Sequence, residues 1–413
     1  MLNYVKTAII AFGNKDNENR SLVVMLNRRL LRIKVMQAVY ALYQSRESNF
    51  ELGLEDITNS FLPDMNSMEV QNMELLKKKK EEASALYEKS FLETVQYTIE
   101  TKDVIAAAEN AKSTYRLRVE RDIKHFRKLM LDDVENINYK YLELLSFLIS
   151  LADFVQVDED EKKTKLIKAL PTASKELKLQ NNAVIKALKA NKDFELERIK
   201  KNIQLEPAFV RNTFKEYIKT NPEYIRYQEL NESSVQIDRD ICLFILKSIF
   251  LKKEAVVIHF ESDDLNWTEN SSIVKSMAVK TIKSLGDGNS EEDILLDISP
   301  NWEEDKAYFI ELYDKTVQMD DKLEPIITER VKNWEADRVA MMDKIIMKLA
   351  TAEMIVFPSI PIKVSINEFI EISKIYSTPK SKVFVNGILD SIAADLTKDG
   401  TIRKSGRGLI DNK

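Results

Sequence analysis

The chain has 413 residues, 44% hydrophobic and 31% charged, with 62 Lys+Arg against 67 Asp+Glu and a net charge of −5, so any nucleic-acid contact must come from a local basic patch. One Cys and two His exclude a disulfide framework and a Cys-cluster zinc site, and leave too few imidazoles for most metal centres. Eight Gly and nine Pro are far fewer than the roughly 12% of an average chain, which points to long helices and an all-α fold.

Residues 1–24 differ in pattern from the rest of the chain. Tyr4–Phe12 is short, broken by Lys6 and without a signal-cleavage site. Residues 1–24 are either an upstream extension, with Met25 as the natural start, or a leader. No run approaches the ~18–20 apolar residues of a membrane span, so a reduced cytoplasmic location is expected. From Met25 the pattern is strong: Leu31, Val35, Ala38, Val39 and Leu42 recur at i, i+4, i+7, i+8 and i+11, one face of an amphipathic helix. Arg28, Arg29, Arg32 and Lys34 lie within seven residues with no acidic neighbour, and Arg32 shares a face with Tyr40. Guanidinium groups pair with phosphates and stack on bases, and an aromatic gives a stacking platform. An ordinary solvated basic face fits the same residues equally well.

Residues 46–75 are polar, Lys77–Lys80 is a solvated lysine run, and 82–156 is helical. A second basic cluster, from Lys112 to Lys128, is interrupted by Glu120 and Asp122 and reads as a solvated face. Asp158–Lys163 reads as a loop or boundary. Two or three helices follow to 221, interrupted near Pro171 and Pro207, with a break at Asn221-Pro222. Helical spacing resumes over 234–256, Gly286–Ser290 is the strongest loop, and four helical patterns run from Glu303 to Leu396. No repeat of fixed period is visible.

Toward the C-terminus, Ser365-Ile-Asn-Glu368 has the spacing of a capping box with Ser365 as N-cap, with Val364 and Phe369 at the staple positions. Thr378-Pro379 predicts another helix start, with an apolar face of Val385, Ile388, Leu389, Ile392 and Leu396. Lys398–Lys413 reads as a flexible basic tail. No phosphate-cradling Gly loop or nucleophile elbow is present, so no enzyme, cofactor or metal is expected. Cys242 and His259 sit in apolar runs and read as core or half-buried residues, and His125 as solvated.

Two blocks carry a resemblance. The first is Arg28-Arg29-x-x-Arg32-x-x-x-x-Gln37-Ala38-x-Tyr40. The second holds Arg338-x-x-x-x-Asp343 and Glu353, then Ile360-Pro361-x-Lys363-Val364-x-Ile366-Asn367-Glu368, then Ser381-x-x-Phe384-Val385-Asn386-Gly387-x-Leu389-Asp390. In order and spacing they resemble the NusB transcription antitermination family, over about 25–45 and 303–397. The resemblance implies two small helical bundles around the first helix (25–49), completed by 303–397, with 50–302 as a helical insertion. It also implies a non-catalytic protein that binds boxA-type single-stranded leader RNA together with NusE, within the RNA polymerase antitermination complex. Carried over, Arg28, Arg29, Arg32, Gln37, Tyr40, Lys382 and Phe384 would face RNA, and Glu353 the partner NusE. Phe384 also fits a core position, and Asn386-Gly387 a close helix packing. Ile33 and Lys380 depart from the family, which often has acidic residues there. Two readings compete: a scaffold working through the insertion, and the helical domain that precedes some ribosomal-RNA cytosine methyltransferases. The second is not expected of this chain, which ends shortly after the motif and gives Cys242 no catalytic context.

Overall fold

The Asn27 side chain accepts from Leu30 N–H at 2.9 Å and caps α1 (Arg28–Ser60). The stripe Leu31, Val35, Ala38, Val39 and Leu42 is buried as its spacing predicts, and so are Ile33 and Met36. The first turns of α1 are therefore enclosed on all sides, as expected of a central helix rather than a surface one.

The computed structural model describes residues 26–66, 70–92, 101–165, 177–232, 234–262, 264–285, 294–331 and 340–412. Residues 1–24, Pro171, the Gly286–Ser290 loop and Arg338 lie outside them. The fold is all-α, and no strand occurs among the described residues. After α1 come α2 (Met73–Lys89), α3 (Lys102–Lys165), α4 (Ala183–Ala190), α5 (Lys192–Lys200), α6 (Pro207–Thr213), α7 (Pro222–Glu229), α8 (Val235–Phe244), α9 (Glu254–Glu261) and α10 (Trp267–Ser284). Then follow α11 (Trp302–Gln318), α12 (Asp320–Val331), α13 (Met341–Val356), α14 (Ile362–Tyr376) and α15 (Ser381–Lys398). α6 and α8 continue as π-helical turns, Phe214–Ile218 and Ile245–Phe250. No described helix is long and apolar enough to cross a membrane.

The chain divides into two units. One holds the described residues of Leu31–Met130 and Ala307–Lys413, the other those of Leu131–Lys306 together with 26–30. In the first, α13, α14 and α15 pack on one another, with α12 against α13 and α15. A satellite core joins the end of α1 to α2 and the start of α3 through Ile57, Leu86, Tyr87 and Val104. Gly53 makes this possible: a Cβ there would lie 2.2 Å from Tyr87 Oη. In the second unit, α8 packs on α4, α7 and α10, and α3 reaches them through Phe147, stacked on Phe250 at 4.5 Å, and Tyr141, hydrogen-bonded to Thr281 at 2.6 Å.

Several boundaries differ from the sequence reading. Asp158–Lys163 is no loop but the last turns of α3, where buried Asp158 is held by Lys219 at 2.6 Å. The expected interruptions near Pro207 and at Asn221-Pro222 are present: the two prolines are the first residues of α6 and α7, and Asn221 caps α7 through Glu223 N–H at 3.0 Å. The 303–396 region forms five helices rather than four, because the chain breaks at Met319. Ser365 does not cap α14. The helix starts after Pro361, Ser365 N–H bonds Pro361 O at 3.1 Å, and its hydroxyl turns inward. Val364 is exposed, so no staple forms with buried Phe369. Thr378 precedes α15 by a turn closed by Ser381 N–H to Thr378 O at 2.9 Å. The five-residue apolar face of α15 is buried as predicted.

Residues 398–412 are not a free tail. Ile402 is buried, Lys404 Nζ donates to Phe357 O at 2.9 Å, and Ser405 N–H to Pro358 O at 3.0 Å. Gly408 packs so closely that a Cβ would lie 2.0 Å from Pro358 O. Gly387, expected at a close packing, is exposed with nothing within 4 Å of a Cβ. Asn386 donates to Asp390 at 3.0 Å on the same helix. Gly387→Ala should therefore stabilise the protein by about 1 kcal/mol, the usual helix-interior difference, seen as a higher denaturation midpoint at unchanged m-value.

Candidate RNA and partner interface

Of the four cations that open α1, two are inside the protein. Arg32 and Lys34 are 3% and 2% exposed. Arg32 makes a two-pronged bond with Glu353 of α13, Nε to Oε2 at 2.7 Å and Nη2 to Oε1 at 2.9 Å. Glu368 Oε2 lies 3.7 Å from Arg32 Nη1. The guanidinium carbon stands 5.6 Å from the Tyr308 ring centroid and 5.8 Å from that of Phe369. Glu353, fully buried, also accepts from Ser365 Oγ at 2.6 Å and from the Tyr308 hydroxyl. Burial alone would lower the Arg32 guanidinium, but the facing Glu353 carboxylate outweighs it and holds it above its ordinary value.

This geometry relocates two expected contacts. Arg32 and Glu353, read from sequence as RNA-facing and partner-facing, face each other in the core of the first unit. A charge that far from water persists only when paired, so each is committed to the other. Arg28 is half-exposed and pairs at the surface of the second unit with Glu304 at 2.5 Å and Asp305 at 3.1 Å. Arg29, Gln37 and Tyr40 are partly exposed.

The second element expected to face RNA is presented differently. Ser381 is buried and donates to Asp343 Oδ2 of α13 at 2.7 Å, which pins the first residue of α15. Around it Lys380 and Lys382 are exposed, Val383 is 69% exposed, Phe384 is half-buried, and no acidic residue lies in the first turn. A helix N-terminus flanked by lysines favours an anion.

A second polar node has little trace in the sequence. Lys348 of α13, 3% exposed at its side chain, lies 2.6 Å from both Asp320 Oδ1 and Glu324 Oε2 of α12, and 2.5 Å from the Tyr43 hydroxyl. Asp320 also takes Arg46 at 2.6 Å and the Tyr43 hydroxyl. Burial, with Asp320 alongside, pushes the Tyr43 phenol up to about 12. Its only sequence signal is a lysine inside an apolar helix pattern.

Cys242 is fully buried and burial pushes its thiol up, so it is a core residue rather than a nucleophile. His259 is half-buried and stacks on Phe209, and His125 is exposed. In the second basic cluster Arg118 and Arg127 pair with Asp56 and Asp314, both at 2.9 Å. No group of three metal-ligating side chains occurs among the described residues.

Residues 272–394 match the model of the NusB family. The chain is 38% identical over 127 residues to the transcription antitermination protein NusB of Salinibacter ruber, covering 30% of this chain and 79% of that protein. The chain belongs to the NusB family. NusB of Bacillus pumilus is 32% identical over 122 residues, covering 30% of this chain and 93% of that protein. NusB of Chloroherpeton thalassium is 39% identical over 130 residues, 32% of this chain, and the chain spans only 59% of its length. No solved structure matches. The family match starts at 272, upstream of the expected 303, and so takes in most of α10. The family it joins is one of non-catalytic transcription antitermination proteins, not of enzymes.

Proposed function

We propose that this NusB-family chain binds boxA-type single-stranded RNA together with NusE and acts within the RNA polymerase antitermination complex. The observation that carries this reading is the start of α15: Lys380 and Lys382 stand exposed around a helix N-terminus that Ser381 ties to Asp343. Arg29, Gln37, Tyr40 and Phe384, all part-exposed, supply further polar and stacking groups on the same reading. Arg32 and Glu353 act from within, as positioning residues that fix α1 against α13 and α14.

The lysines neutralise phosphates and release counterions, so affinity falls with salt. Unstacked bases are held on aromatic and guanidinium planes. In Lys380→Ala/Lys382→Ala, RNA affinity should fall at every salt concentration, and the log–log salt slope should shrink by about 1.4, roughly 0.7 per lost single-strand contact. Fluorescence anisotropy with a boxA oligonucleotide, with and without NusE, measures both. An unchanged slope would move the RNA away from α15.

A further inference from the structure

The five helices α6 to α10 and the five helices α11 to α15 follow the same plan. In the first helix of each set, buried Val210, Thr213 and Phe214 match buried Phe309, Leu312 and Tyr313 at an offset of 99. In the second, Tyr224 matches Leu323 at the same offset. The third helices are Val235–Phe250, including its π-turn, and Met341–Val356. Each buries an Asp in its first turn followed by a basic residue, Asp238-Arg239 and Asp343-Lys344. In the fourth, buried Phe260 matches Phe369 at an offset of 109. In the fifth, buried Val274, Met277 and Ala278 match Val385, Ile388 and Leu389 at 111. The last three helices of each set also pack on one another.

The polar centre repeats too. In the first unit Arg32 of the central helix α1 lies over Phe369, beside Tyr308, and is paired with a buried carboxylate. In the second, Lys140 of the long helix α3 is 1% exposed, lies 5.4 Å from the Phe260 ring centroid, and pairs with buried Glu143 at 2.9 Å. Phe209, at the register of Tyr308, stacks on His259 at 3.9 Å beside that pair. The carboxylate has moved: it comes from α3 itself, while Ser248 stands at the register of Glu353, at an offset of 105. A shared apolar phase alone would not place a buried cation over the equivalent Phe twice.

The surfaces have diverged. Asn270, at the register of Ser381, is likewise buried and donates to an Asp, Asp264, at 3.2 Å. The residues around it are Glu269 and Ser271, where the C-terminal set has Lys380 and Lys382. Residues 254–272 contain five acidic residues and no Lys or Arg. Such a helix start repels phosphate.

We infer that residues 131–285 are a second, diverged copy of the family's helical unit, and that the chain engages RNA through the C-terminal copy alone. The RNA half rests on the function proposed above; the copy itself does not.

Two measurements on the full chain decide it. Spin labels at exposed Asn212 and Lys283 of the second unit, and separately at the equivalent Glu311 and Ala394 of the first, should give the same mean distance within the width of the distributions. Buried Cys242, with its thiol pushed up, stays unlabelled. Distances differing by more than that width would overturn the copy. In the other experiment, Glu269→Lys/Ser271→Lys is titrated with boxA RNA beside the wild type. Wild type should bind one equivalent and the folded variant two. One equivalent in both would show that the α10 start is not the counterpart of the α15 start. Two in the wild type would overturn single-copy binding. No binding by the wild type would remove the proposed function and with it the RNA half, while the spin-label distances still decide the copy.

Discussion

Glu353→Ala is expected to cost about 3–5 kcal/mol of stability, the usual loss when one partner of a buried ion pair is removed. The magnitude reflects the bonds the carboxylate holds. It accepts two from Arg32 and one each from Ser365 and Tyr308, so its removal leaves a buried guanidinium and two hydroxyls short of an acceptor. These four residues come from α1, α13, α14 and α11, so one substitution loosens four helices. Equilibrium denaturation in urea measures it. A loss under about 1 kcal/mol, typical of exposed pairs, would mean that water reaches the site.

The reverse experiment separates structure from recognition. In Arg32→Met/Glu353→Leu neither charge remains, and apolar residues of similar length fill the space. Such replacements of buried pairs are often neutral or stabilising, so the double variant should lose much less than the sum of its single ones. If Arg32 acts only by positioning, the double variant should keep RNA binding within a few-fold. A loss of RNA binding in a stable double variant would restore Arg32 to the RNA surface.

How much of this is legible in the sequence depends on the range of each interaction. The stripe on α1 and the apolar face of α15 depend on neighbours three and four residues apart, and both are buried as expected. Prolines 207 and 222 mark helix starts for equally local reasons. Arg32 escapes a sequence reading because its partner is 321 residues away: a basic residue among basic residues looks solvated until the fold brings Glu353 to it. Ser365 shows the same effect, since a local capping pattern yields to a buried carboxylate that needs a donor. The segment from Gly400 looks like a free tail because it docks through backbone carbonyls of Phe357 and Pro358, which leave no side-chain signature. The two sets of five helices stay hidden from a search for fixed period because their offset drifts from 99 to 111 with loop length.

Lys348→Met should lower stability by about 3 kcal/mol at neutral pH, the low end for a broken buried pair, because Arg46 still faces Asp320. The pH dependence tests the cause. Burial would raise the Asp320 and Glu324 carboxyls, but the Lys348 ammonium outweighs it and holds both below their ordinary values. Burial would likewise lower Lys348, but Asp320, Glu324 and Tyr43 hold it above the usual lysine range. For the carboxylates, folded values below unfolded ones give stability that is present above about pH 4–5 and lost as pH falls through the folded values. For Lys348, a raised folded value gives stability that is complete below about pH 10 and lost only above the lysine range. The gap between wild type and Lys348→Met should therefore be flat from about pH 5 to pH 10 and shrink towards pH 3. Urea denaturation of both proteins across that range reads it directly. A gap as wide at pH 3 as at pH 7 would assign the loss to the packing of the lysine stem rather than to its charge.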